Sequence, residues 1–375
     1  MKESNKIPAG AKYIKIDGTV LKEGDKFPKV PNTGDTYTDN DYNYVYNKEV
    51  GMYWDDGKAY GFLKSKSLNG WGVRVCNNKK TSYGDILPKI AGKPIVSTAY
   101  TFADCKSLTT APKIPNSVKT MDTTFSCCES LINAPIIPNG VETMERTFSY
   151  CSSLITAPKI PDSVIDMEHT FEGCTSLEVS PKIPKGVRIM RGTFANCTSL
   201  IKVPKIPSSV ETMERTFEYC SSLKTAPKIA NGVTDMFFTF FDCKSLKDAP
   251  EIPISVTHMK GTFKNCASLE TAPKIPNGVT NMSYTFENCY SLKTAPEIPD
   301  SVTDMHLTFK DCKSLKIAPK IPDSVTWIED AVEGCVSLIN ASEVPVRLER
   351  SITDEALSDD EMYDFSSSTD EDDDA

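Results

Sequence analysis

No run of about 18 apolar residues exists in the chain, so no stretch of it is long enough to cross a bilayer as a helix. The opening residues, Met1-Lys2-Glu3-Ser4-Asn5-Lys6, are polar and no apolar segment follows, which predicts that no cleavable secretory segment is present. Phosphate-cradling glycine loops, nucleophile elbows and paired-carboxylate signatures are missing as well, and so is any C-x-x-C or Cys/His spacing that suits zinc. Histidine occurs three times only, at His169, His258 and His306. Each stands at a different place in the repeat described below, so they share no common geometry, and all three read as surface residues. These absences argue against an enzyme, a metal site and a bound cofactor.

Basic character is also in short supply. The net charge is -9, but residues 351–375 hold eleven acids and no Lys or Arg, which leaves the preceding 350 residues near +2. A basic footprint of the kind that grips nucleic acid is therefore lacking.

What is present is one phrase, T-F-x-x-C-x-S-L, said over and over. Phenylalanine stands at 102, 125, 148, 171, 194, 217, 240, 263, 286 and 309, a step that never varies, and Val332 takes the next place. A Thr precedes each of these Phe, from Thr101 to Thr308, and a Cys follows three residues later, from Cys105 to Cys335. The remainder of the unit reads A-P-x-I-P-x-x-V-x-x-M, as in Ala111, Pro112, Ile114, Pro115, Val118 and Met121. A fixed period of this size is the mark of a solenoid, in which one turn cannot bury its apolar face without its neighbours. Stacked turns convert each fixed letter into a column along the rod, so Val, Met, Phe, Leu and Ile predict five core columns. Two prolines per unit cannot donate to a ladder and predict an extended corner, leaving V-x-x-M-x-x-T-F as the expected parallel strand. About eleven turns at the strand spacing give a rod on the order of 50 Å long.

Eleven of the 13 cysteines fall in the repeat column, which marks them as packing residues rather than a disulfide framework and suits a reducing compartment. Cys76 and Cys127 fall outside it and are the expected reactive thiols.

The repeat resembles the BspA-type leucine-rich repeats, whose units keep the same period around an A-F-x-x-C-x-x-L core. The likeness covers about residues 95–345. Two departures stand out: Ala111 to Pro115 is one residue longer than the usual unit between the Leu and the second Pro, and Met121 is one residue closer to Phe125 than the family's Ile. The resemblance implies recognition or adhesion without catalysis, of the kind seen in bacterial surface proteins and in phage; the polar start, the free thiols and the acidic tail favour the alternative, an intracellular scaffold or sequestering protein, with a viral origin one option. The implied location is cytoplasmic or virion-associated, with the cell surface reachable by a non-classical route.

Three regions follow. Residues 1–90 alternate polar with aromatic or β-branched residues and contain Asp17-Gly18, predicting a small, mostly antiparallel β module that caps the first turn. Ser82 to Leu87 fits one helical turn or a short helix. Tyr44, Tyr46, Tyr53, Trp54, Tyr60 and Trp71 form either that module's core or a sugar-stacking platform. Residues 91–345 form the mostly β solenoid. Residues 346–375 predict a disordered acidic tail, which serves either to solubilise or, through Met362, Tyr363 and Phe365, to dock on a basic partner.

Partner choice in a solenoid is written where the columns vary. The two positions between Met and Thr are charged early (Glu145-Arg146, Glu168-His169, Glu214-Arg215) and turn aromatic later. Phe237, Phe238, Phe241, Tyr284, His306 and Leu307 are thus the candidate contacts for a protein or glycan. The alternative is that one of these columns points inward and repacks. A second column, Lys113, Lys159, Lys182, Lys205, Lys228, Lys274 and Lys320, is interrupted by Ile136, Glu251 and Glu297. It reads either as a solvated edge that discourages aggregation or as a strip for anionic polymers or the chain's own tail.

Overall fold

A computed structural model of the chain describes residues 7, 11–26, 28, 32, 34–39, 42–47, 52–55, 60–64, 70–75, 78–86, 88–90 and 93–340. The acidic tail and Cys76 lie outside them. So do the side chains of Tyr44, Tyr46, Tyr53, Trp54 and Tyr60, whose backbones are described.

Among the described residues, nine strands precede the repeats. β1 (Lys12–Ile14) and β2 (Val20–Leu21) form a hairpin around Asp17-Gly18, where Gly18 takes φ +84° and the Thr19 N–H donates to Asp17 Oδ1 at 2.8 Å. β1 also pairs with β3 (Thr36–Asp39), and the antiparallel order continues through β4 (Tyr42–Asn47), β5 (Met52–Asp55), β6 (Tyr60–Lys64) and β7 (Trp71–Val75). β7 then runs parallel to β9 (Lys93–Ser97), which carries β8 (Lys89–Ile90) on its other side. This switch of direction joins the module to the rod, because Ser97 at the end of β9 is also the first member of the repeat ladder.

The helix expected over Ser82 to Leu87 does not form among the described residues. Ser82 instead bridges in parallel to Thr110, and the Tyr83 ring lies 5.2 Å from Phe102, covering the open end of the Phe column. An extended segment can do this and a helical turn cannot, because the first turn needs a flat neighbour at turn spacing.

Behind Tyr83 the Phe rings stack without a break from Phe102 to Phe309, with centroids 5.1–5.8 Å apart and planes within 12° of parallel. The Val, Met, Leu and Ile columns are buried along with them, and Cys is a sixth core column. Every described cysteine is a free thiol. Burial pushes the thiols of Cys174, Cys220, Cys243 and Cys266 well above the ordinary range, which removes the thiolate that oxidation and metal binding need. Cys127, expected to be reactive, is half-buried and its thiol is likewise raised by burial.

The predicted strand is the largest departure from expectation. Parallel pairing shrinks to one residue per turn, the residue before each Met, in a ladder that runs unbroken from Ser97 and Thr120 to Asp304 and Trp327. A second ladder, through the residue before each Ala-Pro, breaks twice, between Thr156 and Val179 and between Lys202 and Thr225. The main ladder therefore lies on the Met side of the turn.

The strand stops after one residue because the chain enters the left-handed region two residues past Met, as at Arg146 (φ +49°), Arg215 (+51°) and Phe238 (+49°). It does so again four residues later, as at Tyr150 (+56°), Asn196 (+58°) and Asp242 (+60°). Bulky residues adopt such a conformation only where hydrogen bonds over-determine it. Here alternate N–H groups donate along the rod axis to the next turn and the ones between donate back within the turn. Phe217 N–H donates to Thr239 O at 2.9 Å and Tyr219 N–H to Phe241 O at 2.7 Å, while Cys220 N–H returns to Phe217 O at 3.1 Å.

The fixed Thr and Cys complete the same network. From Thr147 to Thr308 each Thr hydroxyl donates to the Met carbonyl of the preceding turn, as Thr216 does to Met190 O at 2.7 Å. From Cys128 to Cys335 each Cys thiol donates to the preceding Phe carbonyl, as Cys220 does to Phe194 O at 3.1 Å. Thr216→Val keeps the shape and removes one of the two donors to Met190 O, the other being the Thr193 N–H at 3.2 Å. The expected cost is about 1 kcal/mol in a denaturant melt. A loss-free Thr216→Val chain would mean that the Thr column is fixed by shape alone.

Candidate recognition face

The segment between Met and Cys carries three variable columns, the first and second residues after Met and the residue after Phe. In the early turns they hold paired charge. His169 is buried, at 5% exposure, with Nδ1 2.9 Å from Glu172 Oε2, so it is not the surface residue expected from its sequence position. The Tyr150 hydroxyl donates to Glu172 Oε1 at 3.1 Å, and burial together with that carboxylate pushes the phenol up to about 12. Arg191 reaches Glu214 at 2.7 Å across one turn. Burial raises the carboxyls of Glu145, Glu214 and Glu218; the neighbouring arginines Arg191 and Arg215 work against it at Glu214, as Arg215 does at Glu218.

From Arg215 onward the face changes character. Its guanidinium bonds Glu218 at 3.1 Å and lies 5.5 and 5.4 Å from the Phe237 and Phe238 ring centres. Lys260 sits between the Phe237 and Tyr284 rings, at 5.9 and 5.6 Å, and Lys264 lies 4.8 Å over Tyr284 while pairing with Glu287 at 2.9 Å. Tyr284 meets His306 edge-on at 5.3 Å, and His306 stacks on Trp327 at 4.3 Å. Burial holds the His306 imidazole below its ordinary pKa, so a neutral ring stacks on the indole near neutral pH. Cations thus alternate with rings over four turns, from Arg215 to Tyr284, an arrangement worth about 0.5–2 kcal/mol per contact according to its exposure.

The six residues singled out from the sequence do not play one role. Phe237, Tyr284, His306 and Leu307 are half-buried and share the open side of the face. Phe238 and Phe241 are 3% and 7% exposed, packed edge-to-face with each other at 5.3 Å, and Phe237 stands on Phe238 at 4.6 Å. The two buried rings are the floor on which the exposed ones rest. Arg215, Lys260, Lys264 and Trp327 belong to the same face and were not singled out from sequence. Their signal was their column, since each occupies a Met-to-Cys or ladder position next to an aromatic of the adjoining turn. His258 is exposed and stands in the main ladder column.

Glycine makes room for the large side chains. Gly261, at φ +61°, follows Phe238 by one turn, and a Cβ there would lie 2.7 Å from the Phe238 ring; Gly173 stands in the same relation to Tyr150, at 2.6 Å. The left-handed conformation is not itself the obstacle, because other turns hold Arg, Tyr and Phe in it. Gly261→Ala is therefore expected to cost about 1–3 kcal/mol and the Phe238→Ala, Gly261→Ala pair less than the sum of the two single changes. Strict additivity in the melts would show that the contact does not matter.

Among the described residues, no group of three or more metal-ligating side chains comes together, and no helix is long and apolar enough to cross a membrane. The pattern of the BspA-type leucine rich repeat region matches six copies over residues 98–200, 167–293 and 236–359. The chain belongs to the BspA-type leucine-rich repeat family. The fold is shared with a leucine-rich repeat protein from Bacteroides ovatus, at 24% identity and a TM-score of 0.55 over 80% of this chain and 81% of that one. A leucine rich cell surface protein from Faecalibacterium prausnitzii also matches, at 21% identity and a TM-score of 0.46 over 81% and 93% of the two chains. No curated relative matches the chain. Leucine-rich repeat arrays of this family generally serve protein interaction or adhesion, are generally not enzymes, and are often surface-associated.

Proposed function

We propose that the protein is a non-catalytic recognition protein whose partner docks on the aromatic–cationic face between Arg215 and Trp327. The observation that carries the reading is the placing of Lys260 and Lys264 over the rings of Phe237 and Tyr284, on a buried floor of Phe238 and Phe241. In the early turns charge is paired with charge in the adjoining turn, as in Lys106–Glu129 and Arg188–Glu211. Here the cations lie over half-buried rings, which suits a partner that brings carboxylates and flat apolar surface together. A protein segment with acidic and aromatic residues has that chemistry, and so does an acidic glycan. Aromatic and arginine residues are also the types that dominate binding energy at interfaces. The setting is a bacterial surface or a phage particle; a scaffold inside a cell would use the same face.

The test is selection by the full chain from a displayed peptide library and from an array of acidic glycans. Ligands retained by the native chain and lost by a Tyr284→Ser chain support the reading. Ligands that bind both chains equally overturn it.

A further inference from the structure

The other sides of the turn treat charge differently from the A-P-x-I-P corner. On those sides, cations and acids one repeat apart pair across turns: Lys106–Glu129, Lys119–Glu142, Arg188–Glu211, Arg191–Glu214, Lys264–Glu287, Lys293–Glu270 and Lys310–Glu333. The lysines of the corner column are all exposed, and among the described residues none of them has an acid within ion-pair distance. Lys159, Lys182, Lys205 and Lys228 occupy four consecutive turns with no acid between them in the column. Like charges at a turn spacing of 5.1–5.8 Å repel, so the run is held against an unfavourable self-energy.

The same corner exposes apolar surface. Between adjoining corners lie shallow grooves, one of them lined by Lys205, Lys228, Glu251, Ile229, Pro253 and Ile254, so that two lysines face one acid in it. Ile254 is 84% exposed, and Ile136, in a separate groove nearer the start of the rod, is 90% exposed. A groove that joins Lys205 and Lys228 to a bare isoleucine, with Glu251 as its one acid, suits an acidic segment that carries a few apolar anchors and seats its acids over the two lysines.

The chain contains such a segment. Ser358-Asp359-Asp360-Glu361-Met362-Tyr363-Asp364-Phe365 sets three apolar side chains among four acids, within a stretch of eleven acids and no cations. Lys228 lies five turns before the corner that would follow Asn340, about 28 Å at the ring spacing, and the 22 residues from Asn340 to Met362 can span up to ~73 Å. A segment tethered at that distance acts at an effective concentration in the millimolar range, which no free ligand of similar affinity matches.

We infer that residues 358–365 dock in cis along the Lys205–Lys228 corner, with Met362, Tyr363 and Phe365 in the Ile254 groove and the acids over the lysines. The docked tail neutralises the corner and shields it from external polyanions. This surface is separate from the aromatic–cationic face, so the inference stands or falls independently of the proposed function.

The test uses the intact 15N-labelled chain. At low salt the amide signals of Met362, Tyr363 and Phe365 are expected to be broadened and displaced from unstructured values. They are expected to return to those values in about 0.5 M salt, where the screening length falls to a few ångström. They are also expected to return in the Lys205→Glu, Lys228→Glu chain, whose exposed substitutions leave the core intact. Unstructured signals at low salt, or displaced signals that persist in the charge-reversed chain, overturn the inference. Displacement that grows with protein concentration overturns it too, because the occupant is then the tail of a second copy. Heparin provides the last arm: it should bind the Met362→Ser, Tyr363→Ser, Phe365→Ser chain several-fold more tightly than the native chain, and equal binding overturns the shielding.

Discussion

Phe217→Ala is expected to split the melting of the rod into two steps. Phe217 is fully buried and stacks on Phe194 at 5.8 Å and Phe240 at 5.5 Å. Removing such a ring from a packed core costs about 3–5 kcal/mol. In a globular domain that loss would lower one transition, but here each turn touches only its two neighbours, so stability is a sum of turn and interface terms. The lesion severs the Phe stack at mid-rod. The turns up to Phe194 remain tied to the β module and its Tyr83 cap, whereas those from Phe240 onward lose their support on the N-terminal side. Two calorimetric transitions are therefore expected, the lower from the C-terminal half. Phe309→Ala, at the last ring of the stack, should fray the end and leave the main transition nearly in place. A single transition displaced downward by both substitutions alike would show that the rod unfolds as one unit.

The second large effect concerns binding. Phe237→Ser with Tyr284→Ser removes the two half-buried rings that Lys260 lies between. Truncating central anchors of an interface costs about 2 kcal/mol or more each, so a ligand selected on the native chain should bind about 30-fold more weakly to either single variant and on the order of 1,000-fold more weakly to the pair. Thermal stability should fall little, because the floor of Phe238 and Phe241 stays. Phe238→Ser is the opposite kind of change: at 3% exposure, with Arg215, Phe237 and Phe241 resting on it, it should destabilise the turns around it and weaken binding only as a consequence. If Phe238→Ser left the melt untouched, or the surface pair lowered it as far, the division between floor and contact would be wrong.

That division shows where sequence reading stops. Phe237, Phe238 and Phe241 look alike in the sequence, three phenylalanines close together. Hydrophobicity says nothing about which of them faces outward, because the answer lies in the sign of φ at each position. A turn that passes through the left-handed region twice swings its variable side chains to directions that neither a strand nor a helix would give. One sign of this was present in the letters. Gly192, Gly261, Gly173, Asn196, Asp242, Asn265 and Asn288 cluster in the two left-handed columns, and these are the residue types that tolerate that conformation. The Thr and Cys columns were likewise legible as fixed, but their bonds to the preceding Met and Phe carbonyls were not, since a constant period does not say which carbonyl lies beneath which hydroxyl.

By itself the sequence determined the solenoid, its step, its core columns and the two atypical ends. A letter that recurs at a constant step must stack on its own copy, and burial then follows from its chemistry. Only the tertiary structure decided that the expected strand contracts to one bridge per turn, that His169 is buried against Glu172, and that lysines lie over rings from Phe237 to Tyr284 while those of the proline corner meet no acid at ion-pair distance among the described residues. Those outcomes depend on the angle at which each turn meets the next, and that angle is set by backbone hydrogen bonds between turns, which no single residue type encodes.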